Sequence, residues 1–157
     1  MTGVQTCALP ICPGQVQKYL NRISGPLLDR IDLHVEVTPV SFSELSRERT
    51  SESSMIVRER VIKARNIQEK RYENEAGIFS NAQMHARHLR SVCRLSSECN
   101  QLLKIAVEKI GLSARAYDRI LKVSRTIADL ASSEEILPEH LAEAIQFRTL
   151  DRSNWAG

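Results

Sequence analysis

The chain is poor in aromatic residues, with three Phe, three Tyr and one Trp among 157 residues. Its core must therefore be aliphatic, which favours packed helices over a β-sandwich. No stretch approaches the ~18 consecutive apolar residues of a membrane span. The N-terminus lacks the basic start and long apolar run of a signal peptide. The four cysteines, Cys7, Cys12, Cys93 and Cys99, follow no C-x-x-C spacing. They read as reduced thiols of a cytosolic protein, with Cys93 and Cys99 as small core residues. Cys12 alone cannot build a zinc site, which needs about four ligands, so no metal is assigned. There is no G-x-x-x-x-G-K-S/T loop and no apolar strand ending in paired acids. Nothing in the chain can then cradle α- and β-phosphates or hold a nucleotide's magnesium. No Ser/His/Asp, Cys/His or paired-carboxylate arrangement stands out either. The 22 basic and 19 acidic residues leave a net charge of only +3, too small to require a nucleic-acid partner.

What is present divides the chain unevenly. Residues 1–11 show no periodicity, do not lead into the segment after them and resemble translated sequencing-adapter sequence. They are set aside as a non-native leader, and the chain is expected to be the tail of a longer protein. Residues 12–40 form a stub: a short helix over Gln15–Arg22, a compact apolar turn over Leu27–Ile31, and a strand over Asp32–Val37. The strand is indicated by Leu33, Val35 and Val37 alternating with His34 and Glu36, and Pro39 stops it. A lone strand leaves its backbone groups unsatisfied, so its sheet would lie upstream.

Residues 41–151 read as a helical bundle, with a tail at 152–157. A helical turn is expected near Phe42–Arg47 and a long helix over Met55–Tyr72, with Val57, Val61 and Ala64 on one stripe. Asn81 is placed to cap a helix running to about Val92. Ser96 caps the next helix, with Cys99, Leu102, Leu103, Ala106 and Ile110 inward, and Gly111 ends it. Ser113 caps a further helix with the stripe Ala116, Ile120, Val123, Ile127 and Leu130. Pro138 suits the first turn of the last helix.

Three basic features invite chemistry. Arg30 sits in Ser24-Gly25-Pro26-Leu27-Leu28-Asp29-Arg30-Ile31-Asp32, where apolar anchors hold a guanidinium at the mouth of the expected strand. A fixed guanidinium suits phosphate oxygens. On spacing alone, a local pair with Asp29 or Asp32 is the simpler reading. Arg115 falls in the first turn of the helix capped by Ser113, where free N–H groups and the dipole already attract anions. It is either part of an anion site or a solvated residue tolerated there. Arg119, one turn later, reads as an ion-pairing surface residue. Arg58, Lys63, Arg65, Lys70 and Arg71 make the long helix basic. They can neutralise phosphates of a nucleic acid, but a solvated face is the simpler reading because no aromatic residue interleaves to stack on bases.

RISGPLLDRIDLHVEV and LSARAYDRILKVSRTIADL resemble the magnesium-chelatase-like AAA+ ATPases, including the competence-protein ComM type. The resemblance implies a mainly α fold, a helical AAA+ lid preceded by the last helix and strand of the αβα ATPase domain. It also implies a hexameric homo-oligomeric ring using ATP and Mg2+ in the full-length protein. Arg30 would be the arginine finger, acting in trans on the neighbour's γ-phosphate, and Arg115 the sensor-2 arginine acting in cis. The fragment alone would bind neither cofactor and would be inactive. The ComM type implies a cytoplasmic motor on DNA that drives branch migration in natural transformation. The alternatives are a magnesium-chelatase ATPase subunit, acting on a porphyrin, and a stand-alone helical module that binds nucleic acid.

Overall fold

The computed structural model describes residues 22, 25–35, 37, 39–40, 42 and 52–148. The expected leader, the helix over Gln15–Arg22 apart from Arg22, the turn over Phe42–Arg47 apart from Phe42, and the tail lie outside them. The described elements are helical: α1 (Gly25–Leu28), α2 (Ser54–Arg71), a 3-10 turn (Asn81–Gln83), α3 (Ala86–Val92), α4 (Ser97–Ile110), α5 (Ala114–Leu130) and α6 (Pro138–Gln146). Among the described residues no helix is long and apolar enough to cross a membrane.

The helices begin and end where short-range chemistry requires. Ser53, Ser96 and Ser113 are extended, and their hydroxyls accept from the amides of Ile56, Cys99 and Ala116. Each thereby satisfies one of the N–H groups that a first turn leaves orphaned. Gly111 ends α4 at φ +66°, in the left-handed region that glycine enters without a Cβ clash. The amides of Gly111 and Leu112 both donate to the Val107 carbonyl there. Two helices are capped from inside their first turn by histidine. His88 Nδ1 accepts from the His85 amide at 3.1 Å, and His140 Nδ1 accepts from the Leu137 amide at 3.2 Å. This is the part played by Glu or Gln in a capping box.

α5 is the central element. It packs on α6, α2, α3 and the 3-10 turn. Ile120, Leu121 and Ala128 of α5 meet Leu103 of α4, Leu89 of α3 and Leu141 and Ile145 of α6 in one aliphatic core. Cys93 and Cys99 are buried within it as free thiols. Burial pushes the Cys93 thiol up to about 11, which keeps it protonated and inert at neutral pH.

Four expectations need correction. Asp32–Val35 form no strand. No neighbouring strand is present among the described residues, and the His34 amide donates instead to the Phe147 carbonyl at the end of α6. The α5 stripe is rotated from the one expected. Ala116 and Ile120 are buried, but the face continues through Leu121, Ser124, Arg125, Ala128 and Asp129. Val123 and Ile127 are only partly covered, and Leu130 is exposed. On α2 only Ala64 and Gln68 are buried, while Val57 and Val61 remain 36% and 42% exposed, so its first turns overhang the bundle. Asn81 opens a 3-10 turn rather than capping α3, because its side chain is engaged in the interior.

The histidine cap on α6 is testable. Replacing His140 with Ala should lower unfolding stability by about 1 kcal/mol, whereas Gln should recover most of it. Urea midpoints of the three chains measure this, and equal losses for Ala and Gln would count against a capping role.

Candidate functional site

The described residues hold two groups of arginines with opposite fates. The first is interior. Asp129 of α5 is fully buried. Arg71, the last residue of α2, grips it with both terminal nitrogens, at 2.7 and 2.5 Å. Asn81 Nδ2 donates to the same carboxylate at 2.8 Å and Arg125 Nε at 3.1 Å. A buried carboxylate is tolerable only when its lone pairs are filled in this way. Asn81 Oδ1 accepts from Arg71 at 3.0 Å and from the Tyr72 hydroxyl at 2.9 Å. Arg125 spends its remaining donors on the Glu134 and Ser133 carbonyls, closing the loop between α5 and α6. The hydrogen bond to Asp129 raises the Arg71 pKa, and burial pushes the Tyr72 phenol up to about 12. Arg71 is thus a structural residue turned inward, which removes it from the basic surface on which it was expected.

The second group lies around α1. The turn after it is closed by the Arg30 amide donating to Leu27 and the Ile31 amide to Leu28, at 3.0 and 3.1 Å. It rests on the bundle through three attachments. Arg119 of α5 donates from Nε to the Asp29 carbonyl at 3.2 Å and pairs through Nη1 with the Asp32 carboxylate. Arg148 donates from Nη1 to the Ile31 carbonyl. The His34 amide holds the Phe147 carbonyl. Asp32 and Leu33 then wall one side of an apolar groove of about 310 Å³ with Val123, Ile127, Leu130 and Phe147.

Arg30 is exposed, and its side chain makes no hydrogen bond or ion pair among the described residues. The local pair with Asp29 or Asp32 is not formed, since Asp32 is engaged by Arg119. Arg115 is likewise exposed and unpaired among the described residues. It lies four residues before Arg119 on α5, about 6 Å along the axis and on the same side of the helix. No acidic residue occupies that first turn. The turn carrying Arg30 therefore sits against the same half of α5 as Arg115. Arg58, Lys63, Arg65 and Lys70 are exposed on α2, distributed around the helix rather than along one line.

Comparison with known proteins places this arrangement in a class and then in a family. Residues 51–148 match the family model for the C-terminal part of magnesium chelatase subunit ChlI, and residues 3–45, a span containing Arg30, match the model for magnesium chelatase subunit ChlI itself. Competence protein ComM of Haemophilus influenzae is 45% identical over 141 residues, covering 89% of this chain and 27% of that protein. Proteins designated YifB from Escherichia coli and Salmonella typhimurium are 43% and 39% identical over the same length and coverage. The chain belongs to the magnesium-chelatase-like family, in its ComM/YifB type. It spans about a quarter of the length of the curated relatives it matches, 27% of each of these three.

The interior cluster can be tested by leaving its cations uncompensated. Replacing Asp129 with Asn should cost about 3 to 5 kcal/mol of stability, as breaking one side of a buried ion pair does. Changing Arg71 and Asp129 together to apolar residues should cost clearly less than the two single changes added. Denaturant unfolding of all variants decides it, and strictly additive losses would contradict a coupled cluster.

Proposed function

We propose that the chain is the lid end of a ComM-type AAA+ ATPase and that Arg30 and Arg115 address the terminal phosphate of bound ATP. The observation that supports this best is the contrast among the arginines. Arg71, Arg125 and Arg119 each have a carboxylate partner, while Arg30 and Arg115 have none among the described residues, although the backbone beside each is anchored. A cation held in place with unfilled donors is suited to an oxyanion supplied from outside the chain. In this reading each guanidinium meets γ-phosphate oxygens. The phosphate loop and magnesium ligands that this reading also needs are not in this sequence.

In this reading Arg30 acts in trans, as the arginine finger of a homohexameric ring, and Arg115 acts as sensor 2. ATP with Mg2+ turns over between subunits, and the lid rotates with the state of the γ-phosphate. The work done is on DNA: branch migration during natural transformation, in line with the relative named as a competence protein. The exposed cations Arg58, Lys63, Arg65 and Lys70 of α2 are the contacts to DNA phosphates.

Two measurements test this in a full-length subunit that carries the chain. Arg30→Ala should lower ATP turnover by about 10³-fold or more, the range of arginine-finger losses, while nucleotide binding persists. Mixing that variant with a phosphate-loop variant should restore part of the activity, because each ring then contains some complete sites. Assembled mixed rings with no recovery would rule out the trans role. The same mixing with Arg115→Ala shows whose ATP it serves: recovery means the neighbour's nucleotide, and its absence the subunit's own. For DNA, replacing Arg58, Lys63, Arg65 and Lys70 one at a time should reduce the slope of log affinity against log salt by about 1 each. An unchanged slope would mean that α2 faces solvent or another protein.

A further inference from the structure

We propose that Arg119 is a positioning residue that, together with Arg148, clamps the Arg30 turn to the lid, so that Arg30 and Arg115 move as one body. The clamp rests on the proposed function for its catalytic consequence, while its structural part stands on the contacts alone.

Arg30 lies between two held residues. Its predecessor's carbonyl, on Asp29, accepts from Arg119 Nε at 3.2 Å, and its successor's carbonyl, on Ile31, accepts from Arg148 Nη1. Two residues beyond Arg30, the Asp32 carboxylate pairs with Arg119 Nη1. Arg119 thus binds the turn at two points with one planar group, fixing orientation as well as distance. A guanidinium can do this and an ammonium cannot. Arg148 is only 1% exposed, so its contact with Ile31 is an interior attachment to the end of α6 and not a surface encounter. The His34 amide, donating to the Phe147 carbonyl at 2.9 Å, adds a backbone bond at the same place. Every attachment ends on α5 or on the residues closing α6. A rotation of these helices would carry the Arg30 backbone with it and leave its guanidinium free.

The charges facing Arg119 agree with this assignment. Lys122 lies nearby on α5. Burial lowers its pKa, with Arg119 contributing repulsion, and its Nζ is bound to the Ala82 carbonyl at 2.9 Å. Lys122 is thus engaged by a carbonyl, and Asp32 is the carboxylate that Arg119 meets.

The test begins with amide hydrogen exchange in the whole chain. Arg119→Ala should speed exchange of the His34 amide by about tenfold, the loss expected of one charge-assisted hydrogen bond. Amides of the α5 core, such as Ile120, should stay protected, showing that the bundle is intact. Arg119→Lys should recover only part of the protection, because an ammonium lacks the rigid planar fork that fixes both points at once. Asp32→Arg combined with Arg119→Asp should recover part of the protection. His34 exchange that does not change in Arg119→Ala, with the bundle protected, overturns the clamp. In a full-length subunit, Arg119→Ala should then lower kcat by about 10²-fold, as misplacement of a positioned group does, with the KM for ATP little changed. Full turnover with a freed turn would overturn the coupling. If Arg30→Ala itself left turnover intact, the proposed function would fail while the exchange result still decided the clamp.

Discussion

The carboxylate of Asp129 is the constraint on which the bundle depends. Among the described residues it is the one anion in the interior network and takes four N–H donors, two from Arg71 and one each from Asn81 and Arg125. Those donors come from the end of α2, the 3-10 turn and α5 itself, so the cluster ties the long helix and the loop after it to the central helix. It is also demanding, because two guanidiniums surround one carboxylate and neither can shed its proton. The second positive charge is spread over the carbonyls of Ser133 and Glu134 and the side-chain oxygen of Asn81. Removing any one partner would leave a charge in an apolar surround without its counterweight.

This anchorage gives α5 its two ends. Toward its C-terminus the helix is fixed by Arg125 and Asp129 to α2 and to the loop before α6. Toward its N-terminus it carries Arg115 in the first turn and Arg119 against the Arg30 turn. A cation in a first turn works against the helix dipole by a few tenths of a kcal/mol at an exposed site. The hydroxyl cap of Ser113 and the core contacts of Ala116 and Ile120 keep the helix start in place regardless. The helix is thus tied by a buried ion-pair cluster toward one end and carries in its first turn a cation that is unpaired among the described residues.

Much of this could be read in the sequence, and what could not has a definite cause. Helix limits were legible where their determinants are local: Ser96 and Ser113 cap, Gly111 stops, and Pro138 starts. The Leu27–Ile31 turn was legible for the same reason. The rotation of the α5 stripe was not, because hydropathy treats Ser124, Arg125 and Asp129 as outward-facing. Asp129 faces inward because Arg71, 58 residues away, and Asn81, 48 residues away, complete it. Arg125 does so because it meets Asp129 and the Ser133 and Glu134 carbonyls, and Ser124 because its hydroxyl donates to the Leu121 carbonyl. Arg71 was placed on the basic surface by the same blindness to distant partners. The alternation in Asp32–Val37 was a real pattern without a neighbouring strand among the described residues, and the Phe147 carbonyl took the His34 amide. For the site, spacing left Arg30 and Arg115 undecided. The resemblance supplied their roles, and nothing in the sequence pointed to Arg119 as a joint between them.

Exposure alone does not single out Arg30 and Arg115, because Arg58, Arg65, Arg90 and Arg94 are also exposed. What separates them is the backbone underneath. Arg58 rides on the first turns of α2, which overhang the bundle, and such a side chain loses much rotamer entropy when a ligand orders it. Arg30 stands in a turn whose carbonyls on both sides are held by other arginines. Arg115 stands on the capped first turn of the most deeply packed helix. A residue whose backbone is already fixed has less freedom left to lose when its side chain meets a ligand. Among the described residues the chain thus uses one residue type in three ways: paired in the interior to build the bundle, paired at its edge to hold a turn, and unpaired on anchored backbone at Arg30 and Arg115.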